Sequence, residues 1–470
     1  NVNVRDLPFI AGTFPSQLTF PLTEPADNGE RIQASLDDTI TTPYNYSVNL
    51  SYGRELGRGL SFEVSYVGRI ARDLLAQRDV MHFNNLRDPQ SGMNWYEAIG
   101  QLIDLRNRAA PITSVGPIPF FENILPGIAA RRTILGTPVN LTATQEAYRR
   151  IALPSVGGTN VTDYTFLQSN LRWNNRPLSI FNNTFVHPQY ATLLAWSTIA
   201  KSNYHGGQLS IRQRYKNDLT FDFNYTLSNS HDNASGLQNA GFGSTTSLIF
   251  DPTNLDSNYA NSDFDVRHII NANWLYGLPV GRGKAFLGDA NKWVDAVIGG
   301  WQLTGIFRWN SGFPTAAFRP FAFQRWATNW QISSGMVALN PVSVCHGDVK
   351  GEPNIFCDPQ ATYVGYRDPR PGEPGDRNKI RYPGYVSLDA GLHKTFQMPW
   401  ESHRLTFRWE VFNVTNTQRL TGFSGTGLST DPFIFGGTAP ATFGRFNATQ
   451  TPLNETRAGR VMQFALRYVF

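Results

Sequence analysis

The 470-residue chain is 41% hydrophobic and 13% aromatic but only 16% charged, well below the roughly 25% charged share of ordinary soluble domains. Mean hydropathy is −0.32, and no run of about 18 apolar residues occurs, which excludes a transmembrane helix. The net charge of +5 is spread over short mixed clusters such as Arg367-Asp368-Pro369-Arg370, so no basic block marks a nucleic-acid surface.

The recurring unit is a segment of about ten residues in which apolar and polar side chains alternate. In a strand such residues point to opposite faces. The first covers 44–53, with Tyr44, Tyr46, Val48, Leu50 and Tyr52 opposed to Asn45, Ser47, Asn49 and Ser51. After a short turn, 60–68 sets Leu60, Phe62, Val64 and Tyr66 against Ser61, Glu63 and Ser65.

A long stretch, about 70–202, follows. It exceeds what a structureless connection usually spans. Within it, 96–110 has helical spacing at Ile99, Leu102, Ile103 and Arg106, and 144–151 suggests a second short helix. These are expected to pack a folded surface lid, with ligand contact as the other role open to them.

The third segment, 208–215, opposes Leu209, Ile211 and Tyr215 to Gln208, Ser210, Arg212 and Arg214. The fourth, 219–227, opposes Leu219, Phe221, Phe223, Tyr225 and Leu227 to Thr220, Asp222, Asn224 and Thr226. The fifth, 265–276, carries Ile270, Ala272, Trp274 and Tyr276 on one face; the sixth, 301–310, carries Trp301, Leu303, Phe307 and Trp309. The seventh, 385–396, presents Val386, Leu388, Ala390, Leu392 and Phe396, and the eighth, 404–414, presents Leu405, Phe407, Trp409 and Val411. The ninth is the terminus, with Met462, Phe464, Leu466, Tyr468 and Phe470 in line.

Any one of these could be a half-buried strand of a soluble sandwich. Nine together, with aromatic residues near their ends and ionisable residues on their polar faces, match a wall in lipid. The expected fold is therefore all-β: a transmembrane antiparallel β-barrel with about nine or ten strands in this chain, residues 1–470 forming one C-terminal part of it. Long extracellular loops are expected at about 70–202, 230–264, 312–384 and 416–459, with short turns in the periplasm. That alternation places the C-terminus, Phe470, in the periplasm. The odd count means either an unseen strand within 1–43 or 166–200, or strands preceding the chain; the second is the preferred reading. The chain starts at Asn1 rather than Met, so an export signal is expected upstream.

Cys345 and Cys357 lie twelve apart in a Gly-, Pro- and Asp-containing stretch, and a local disulfide is the expectation in an oxidising compartment. Two free thiols are the alternative. A metal site is disfavoured, because only His346 is adjacent and no CxxC occurs. No HExxH, GxSxG, GxxxxGK[ST] or EF-hand loop is present, so no enzyme activity, cofactor or metal is expected. The 280–284 string VGRGK lacks phosphate-loop spacing. Asp251, Asp256, Asn258, Asp263 and Asp265 could offer oxygens to Ca²⁺, but a turn-rich loop explains them better. Inward Arg212, Arg214, Arg308 and Arg408 could draw anions into a lumen or pair with Glu63, Asp222 and Glu410; pairing is the favoured reading.

Several strings, in order and spacing, carry a resemblance: SNYHGGQLSIRQRYKNDLTFDFNYTLSNSHDN (202–233), SDFDVRHIINANWLYGLPVGRGK (262–284), GGWQLTGIFRWNSGFP (299–314), RNKIRYPGYVSLDAGLHKTF (377–396), LTFRWEVFNVTNT (405–417) and GRVMQFALRYVF (459–470). Together they resemble the C-terminal part of the barrel of TonB-dependent receptor-like outer-membrane proteins of the Oar-like group. The resemblance is good over about 200–470 and reasonable over 44–85. It implies a 22-stranded barrel with a plugged lumen, in the outer membrane of a diderm bacterium. It also implies about thirteen further strands, a plug and a TonB box before this chain, often with a small carboxypeptidase-regulatory-like domain. An upstream plug and barrel segment, or another chain, is then expected to close the sheet, with TonB a partner through the plug. The implied function is binding or uptake of a bulky ligand such as an oligosaccharide, peptide or metal chelate. The alternative is a structural scaffold that anchors surface loops without active transport. Phe464, Leu466, Tyr468 and Phe470 resemble the terminal signal read by the barrel-assembly machinery. Outer-membrane lipid is the remaining expected partner, and nucleic acid is not one.

Overall fold

The computed structural model describes residues 31–80, 82–85, 87–152, 190–216, 218–236, 249–317, 336–345, 348–349, 352–367, 370, 373–400, 403–423, 437–449 and 459–470. Its frame is a meander of nine strands: β1 (Tyr44–Gly57), β2 (Leu60–Asp79), β3 (Tyr190–Lys216), β4 (Leu219–Asp232), β5 (His268–Gly277), β6 (Gln302–Asn310), β7 (Tyr385–Gln397), β8 (Arg404–Phe412) and β9 (Val461–Val469). Each is hydrogen-bonded to the next, without crossover, and each pairing is antiparallel.

Register decides whether nine amphipathic strands make one amphipathic sheet, because a one-residue slip would turn a strand's apolar side the wrong way. Across the middle of the wall no such slip occurs; the register shifts lie at the turn ends of β1 and β3 and in β2 beyond Ala71. One row runs Tyr52, Val64, Leu209, Tyr225, Ile270, Trp309 and Val386 across seven strands. Another runs Phe221, Trp274, Gly305, Ala390, Val411 and Met462 to the last strand. The apolar side of the sheet is thus continuous, and it is called outward below.

The inward side is knitted by polar pairs. Ser210 Oγ donates to Asn224 at 2.7 Å, Thr304 Oγ1 to the Gly391 carbonyl at 3.2 Å, and Thr395 and Thr406 share a bond of 3.1 Å. Arg212 pairs with Asp222 at 3.3 Å and Arg408 with Glu410 at 3.3 Å, which meets the pairing reading for two of its four arginines.

Tight turns close one end of the sheet. The β1–β2 hairpin turns through Arg58 and Gly59, both at positive φ, the conformation that matches strand twist in a two-residue loop. A longer link, 278–301, joins β5 to β6 at this same end. All the long connections are at the other end.

Two strands are much taller than the alternation indicates. β2 has 20 residues and β3 has 27, where about 9–11 suffice to cross a bilayer. The first long loop is accordingly 80–189 rather than about 70–202. Towards their upper ends the two strands become covered: Ala76, Gln77, Asp79, Leu194 and Ser197 are all buried, and the two-residue rhythm is lost. The free edge at the top of β3 is taken by Arg31–Leu36, which pairs in parallel with Tyr190–Trp196. This is the strand sought within 1–43, but it extends the projecting end rather than the wall. The other sought range is divided: 166–189 lies outside the described residues, and 190–200 is upper β3.

β1 and β9 are the edges of the sheet, and both are exposed along their whole length. No helix among the described residues is long and apolar enough to cross a membrane.

Candidate functional site

The long-loop end carries a folded layer, and its largest piece is a lid between β2 and β3. Its helices are α1 (Trp95–Asn107), α2 (Pro119–Ile124) and α3 (Ala143–Ala152), with a hairpin of Ala130–Ile134 and Thr137–Leu141. α1 starts where Asn94 accepts from the Glu97 amide and Glu97 accepts from the Asn94 amide, both at 2.9 Å, a reciprocal cap that satisfies two orphan donors. The expected spacing is realised: Ile99, Leu102, Ile103 and Arg106 all face the lid core. Trp95, Phe120 and Phe121 are buried against one another with ring centroids 5.6 to 6.1 Å apart. The fully buried Glu146 carboxylate holds Arg132 of the hairpin at 2.9 Å and Arg149 of α3 at 2.7 Å. α2 carried no expectation from the sequence; at six residues it is too short to show a helical period.

Between the end of α1 and the hairpin lies a cavity of about 460 Å³, within the size range of small-molecule sites. Ala110, Pro111, Ile112, Ile134 and Leu135 give it an apolar wall, and Tyr148 and Arg106 add polar groups. The Tyr148 hydroxyl donates to the carbonyls of Leu105 at 3.3 Å and Ala110 at 2.9 Å. Burial raises its pKa, against the lowering effect of the Arg106 charge. Leu135, at the hairpin tip, has φ +49° and is fully exposed. An apolar residue is therefore held out in water next to the cavity.

A second piece is a buried clasp between the β4–β5 and β6–β7 loops. Arg377 donates to Asp232 Oδ1 at 2.7 Å, to Ser235 Oγ at 2.6 Å, and to the carbonyls of Asp232 and Asn258 at 2.9 Å each. Asn378 donates to Asp263 Oδ1 and to the Asn261 carbonyl, both at 2.7 Å. Arg381 pairs with the buried Asp265, which also accepts from the Ser230 amide at 2.7 Å. A further ion pair, Arg370 to Asp104 at 2.6 Å, reaches from the β6–β7 loop to α1, although both side chains are half exposed.

This network accounts for the acidic string considered for Ca²⁺. Its carboxylates do not converge. Asp256 pairs with Lys201 at 2.5 Å, Asp251 accepts from Thr253, and Asp263 and Asp265 bind the basic 377–381 segment. Among the described residues no group of three His, Cys, Asp or Glu could hold a metal.

Where β2 enters the lid, His82 is buried and shares a 2.7 Å bond with the Tyr96 hydroxyl. Burial pushes its imidazole down to about 4, against the opposing charge of Asp251. Asp37 accepts from Ser197, Thr39 and Arg78, and these bonds hold its carboxyl far below the usual range.

The expected disulfide is not formed. Val344 and Phe356 bridge antiparallel, which sets Ser343 opposite Cys357 and Cys345 opposite Ile355. The two cysteines are thus diagonal neighbours. Diagonal positions lie roughly 7–8 Å apart, past the usual reach of a disulfide. Instead the thiols share a hydrogen bond, which together with a 3.1 Å bond from Ser343 Oγ lowers the Cys357 pKa. The 280–284 string forms turns of the short-end link, with Gly281 and Gly283 at positive φ. At the terminus, Phe464, Leu466, Tyr468 and Phe470 are all exposed, with Phe464 stacked on Trp409 at 5.9 Å.

The family model described as "Outer membrane beta barrel domain" matches residues 3–463. Among solved structures, the chain is similar to the outer membrane transporter YddB from Escherichia coli at 10% identity and a TM-score of 0.34, over 93% of this chain and 34% of that one. The chain therefore spans about a third of that transporter's length. No curated protein matches.

Proposed function

This chain belongs to the outer membrane beta barrel domain family, and on that premise we propose that it is part of a TonB-dependent receptor-like barrel of the Oar-like group that captures a bulky ligand at the cell surface. The observation that carries this reading is the asymmetry of the two ends. One continuous apolar face spans the wall, and the folded layer of lid, cavity and clasp stands at the long-loop end alone. In this reading the long-loop end faces the medium and Phe470 the periplasm. A plug and further barrel strands, or another chain, cover the exposed edges of β1 and β9, since open edges invite pairing. TonB acts through that plug, and the barrel-assembly machinery reads the terminal aromatic alternation.

Recognition is non-covalent, and the barrel carries out no chemistry on its ligand. The lid cavity takes an apolar portion of an oligosaccharide, peptide or metal chelate, while the clasp fixes the platform beneath it. Titration of the detergent-folded chain with peptide, oligosaccharide and siderophore-type chelate pools tests this. Binding that disappears when 87–150 is replaced by a short Gly/Ser linker is the expected outcome. Unchanged binding would remove the lid from recognition, and no binding by the intact chain would favour a structural scaffold.

A further inference from the structure

We propose that the β5–β6 link is a membrane-surface anchor, with its helix lying in the headgroup layer of the leaflet at the short-turn end of the wall. This rests on the reading of the outward face as the lipid face, and goes beyond it. The helix, α4 (Lys292–Ile298), belongs to a link that a barrel does not need for connection, since neighbouring hairpins turn in a few residues.

What places it is the origin of the groups that hold it. Lys394 Nζ donates to the carbonyls of Ala296 at 2.6 Å and Val297 at 3.2 Å. Lys394 stands on the outward side of β7, in line with Leu392 and Phe396, and is only 5% exposed. Its ammonium lies 4.9 Å from the Phe396 ring and 5.7 Å from the Trp301 ring. Trp301, also on the outward side, donates its indole N–H to the Val297 carbonyl at 2.9 Å. Two outward-facing side chains therefore seat the helix C-terminus against the apolar face of the wall, not beneath the lumen. This also explains a lysine on a lipid-facing position: its charge meets the negative end of the helix.

The opposite end is tied to its own loop, with Asn291 capping the amides of Trp293 and Val294 and Asp295 accepting from the Arg282 amide at 2.6 Å. With both ends fixed, α4 turns Trp293 (77% exposed), Val297 (67%) and Val294 (43%) away from the protein. Phe286 and Leu287 of the same link and Trp400 of the β7–β8 turn are also exposed. An exposed apolar surface of this kind marks an interaction site. Here it continues the outward face of the wall, and tryptophan with a flanking lysine is the composition that settles at the boundary of headgroups and acyl chains. Lys292 completes the pattern, its ammonium 6.0 Å above the Trp293 ring.

The test uses the full chain, with Cys345→Ser and Cys357→Ser, folded in phosphatidylethanolamine–phosphatidylglycerol vesicles. A single cysteine, Val297→Cys or Phe223→Cys in mid-wall, carries an environment-sensitive fluorophore. The expected result at 297 is blue-shifted emission, quenched strongly by lipid nitroxides placed high on the acyl chain, weakly by those near its end, and little by aqueous iodide. Position 223 should favour the deep nitroxides. Adding Lys394→Met should shift the 297 probe toward the red and raise its iodide quenching several-fold, leaving 223 unchanged. Iodide quenching of 297 as strong as in the unfolded chain, with 223 still quenched by lipid, overturns the anchor and leaves the barrel standing. Protection of 297 from both iodide and nitroxides overturns it in favour of a protein contact. Loss of lipid quenching at 223 overturns the barrel reading itself.

Discussion

Arg377 and Asp232 are 145 residues apart in the chain and 2.7 Å apart in the structure, and their contact joins the β4–β5 loop to the β6–β7 loop. The arginine side chain is 11% exposed and the aspartate 3%, so the pair is shielded from water, and Asp232 also accepts from the Ser235 hydroxyl, which lies 2.8 Å from each of its oxygens. Arg377→Met removes one partner and leaves a buried carboxylate. Breaking a buried pair in this way costs about 3–5 kcal/mol. The loss should be local: limited proteolysis should cut 233–267 and 373–384 much faster, while heat-modifiable migration of the wall is retained. Cleavage at the wild-type rate would show that the clasp does not hold the loops.

His82 makes the lid pH-sensitive. Its folded pKa, about 4, lies below the ordinary 6.5, so protonation favours the unfolded lid. The contribution is complete above pH 6.5 and is lost as pH falls from 6.5 toward 4, by up to about 3 kcal/mol. Amide exchange in α1, corrected for intrinsic rate, should accelerate between pH 7 and pH 5. In a His82→Gln variant that difference should vanish. Equal pH dependence in both proteins would assign the effect to another group.

The wall was legible because each of its strands needs one oily and one wet side, and that need writes a period of two directly into the residues. Tyr44 to Tyr52 carries it without interruption, and Phe464 to Phe470 keeps its outward half. The upper halves of β2 and β3 were not legible, because a strand covered on both faces has no reason to alternate. α1 announced itself by spacing and α3 was suggested as a second short helix, whereas α4 is seven residues long and its apolar face is exposed rather than buried. The clasp could not be read at all. Asp263 and Arg377 look like ordinary loop residues until the fold brings them together, and the same blindness allowed the acidic string to be weighed as a cation site. For the cysteines, proximity in sequence was a good guide to proximity in space. It could not reveal the diagonal offset that keeps the sulfurs unbonded.

That offset leads to a prediction about reactivity. Bonds from Cys345 and Ser343 favour the thiolate of Cys357, and the thiolate is the reacting species. Iodoacetamide near neutral pH should therefore modify Cys357 ahead of Cys345, read by peptide mass spectrometry. Ser343→Ala should slow Cys357 and leave its neighbour's rate nearly unchanged. Equal rates at the two cysteines would contradict the assignment.

The outward face of the wall contains one notch on which its packing depends. Gly305 of β6 lies opposite Trp274 of β5 and Ala390 of β7. A Cβ built on Gly305 would overlap the Trp274 indole, so the glycine is what lets the ring lie across the neighbouring strand. Gly305→Ala forces the indole to another rotamer, and such overpacking costs about 1–3 kcal/mol. Urea unfolding from vesicles should show a lower midpoint with an unchanged slope. A Trp274→Leu background separates the steric cause from any intrinsic penalty of changing the glycine: there the same substitution should be neutral or stabilising, because alanine costs the unfolded chain conformational freedom that glycine retains. A cost of equal size in both backgrounds would mean that the notch does not exist and that strand geometry alone demands glycine.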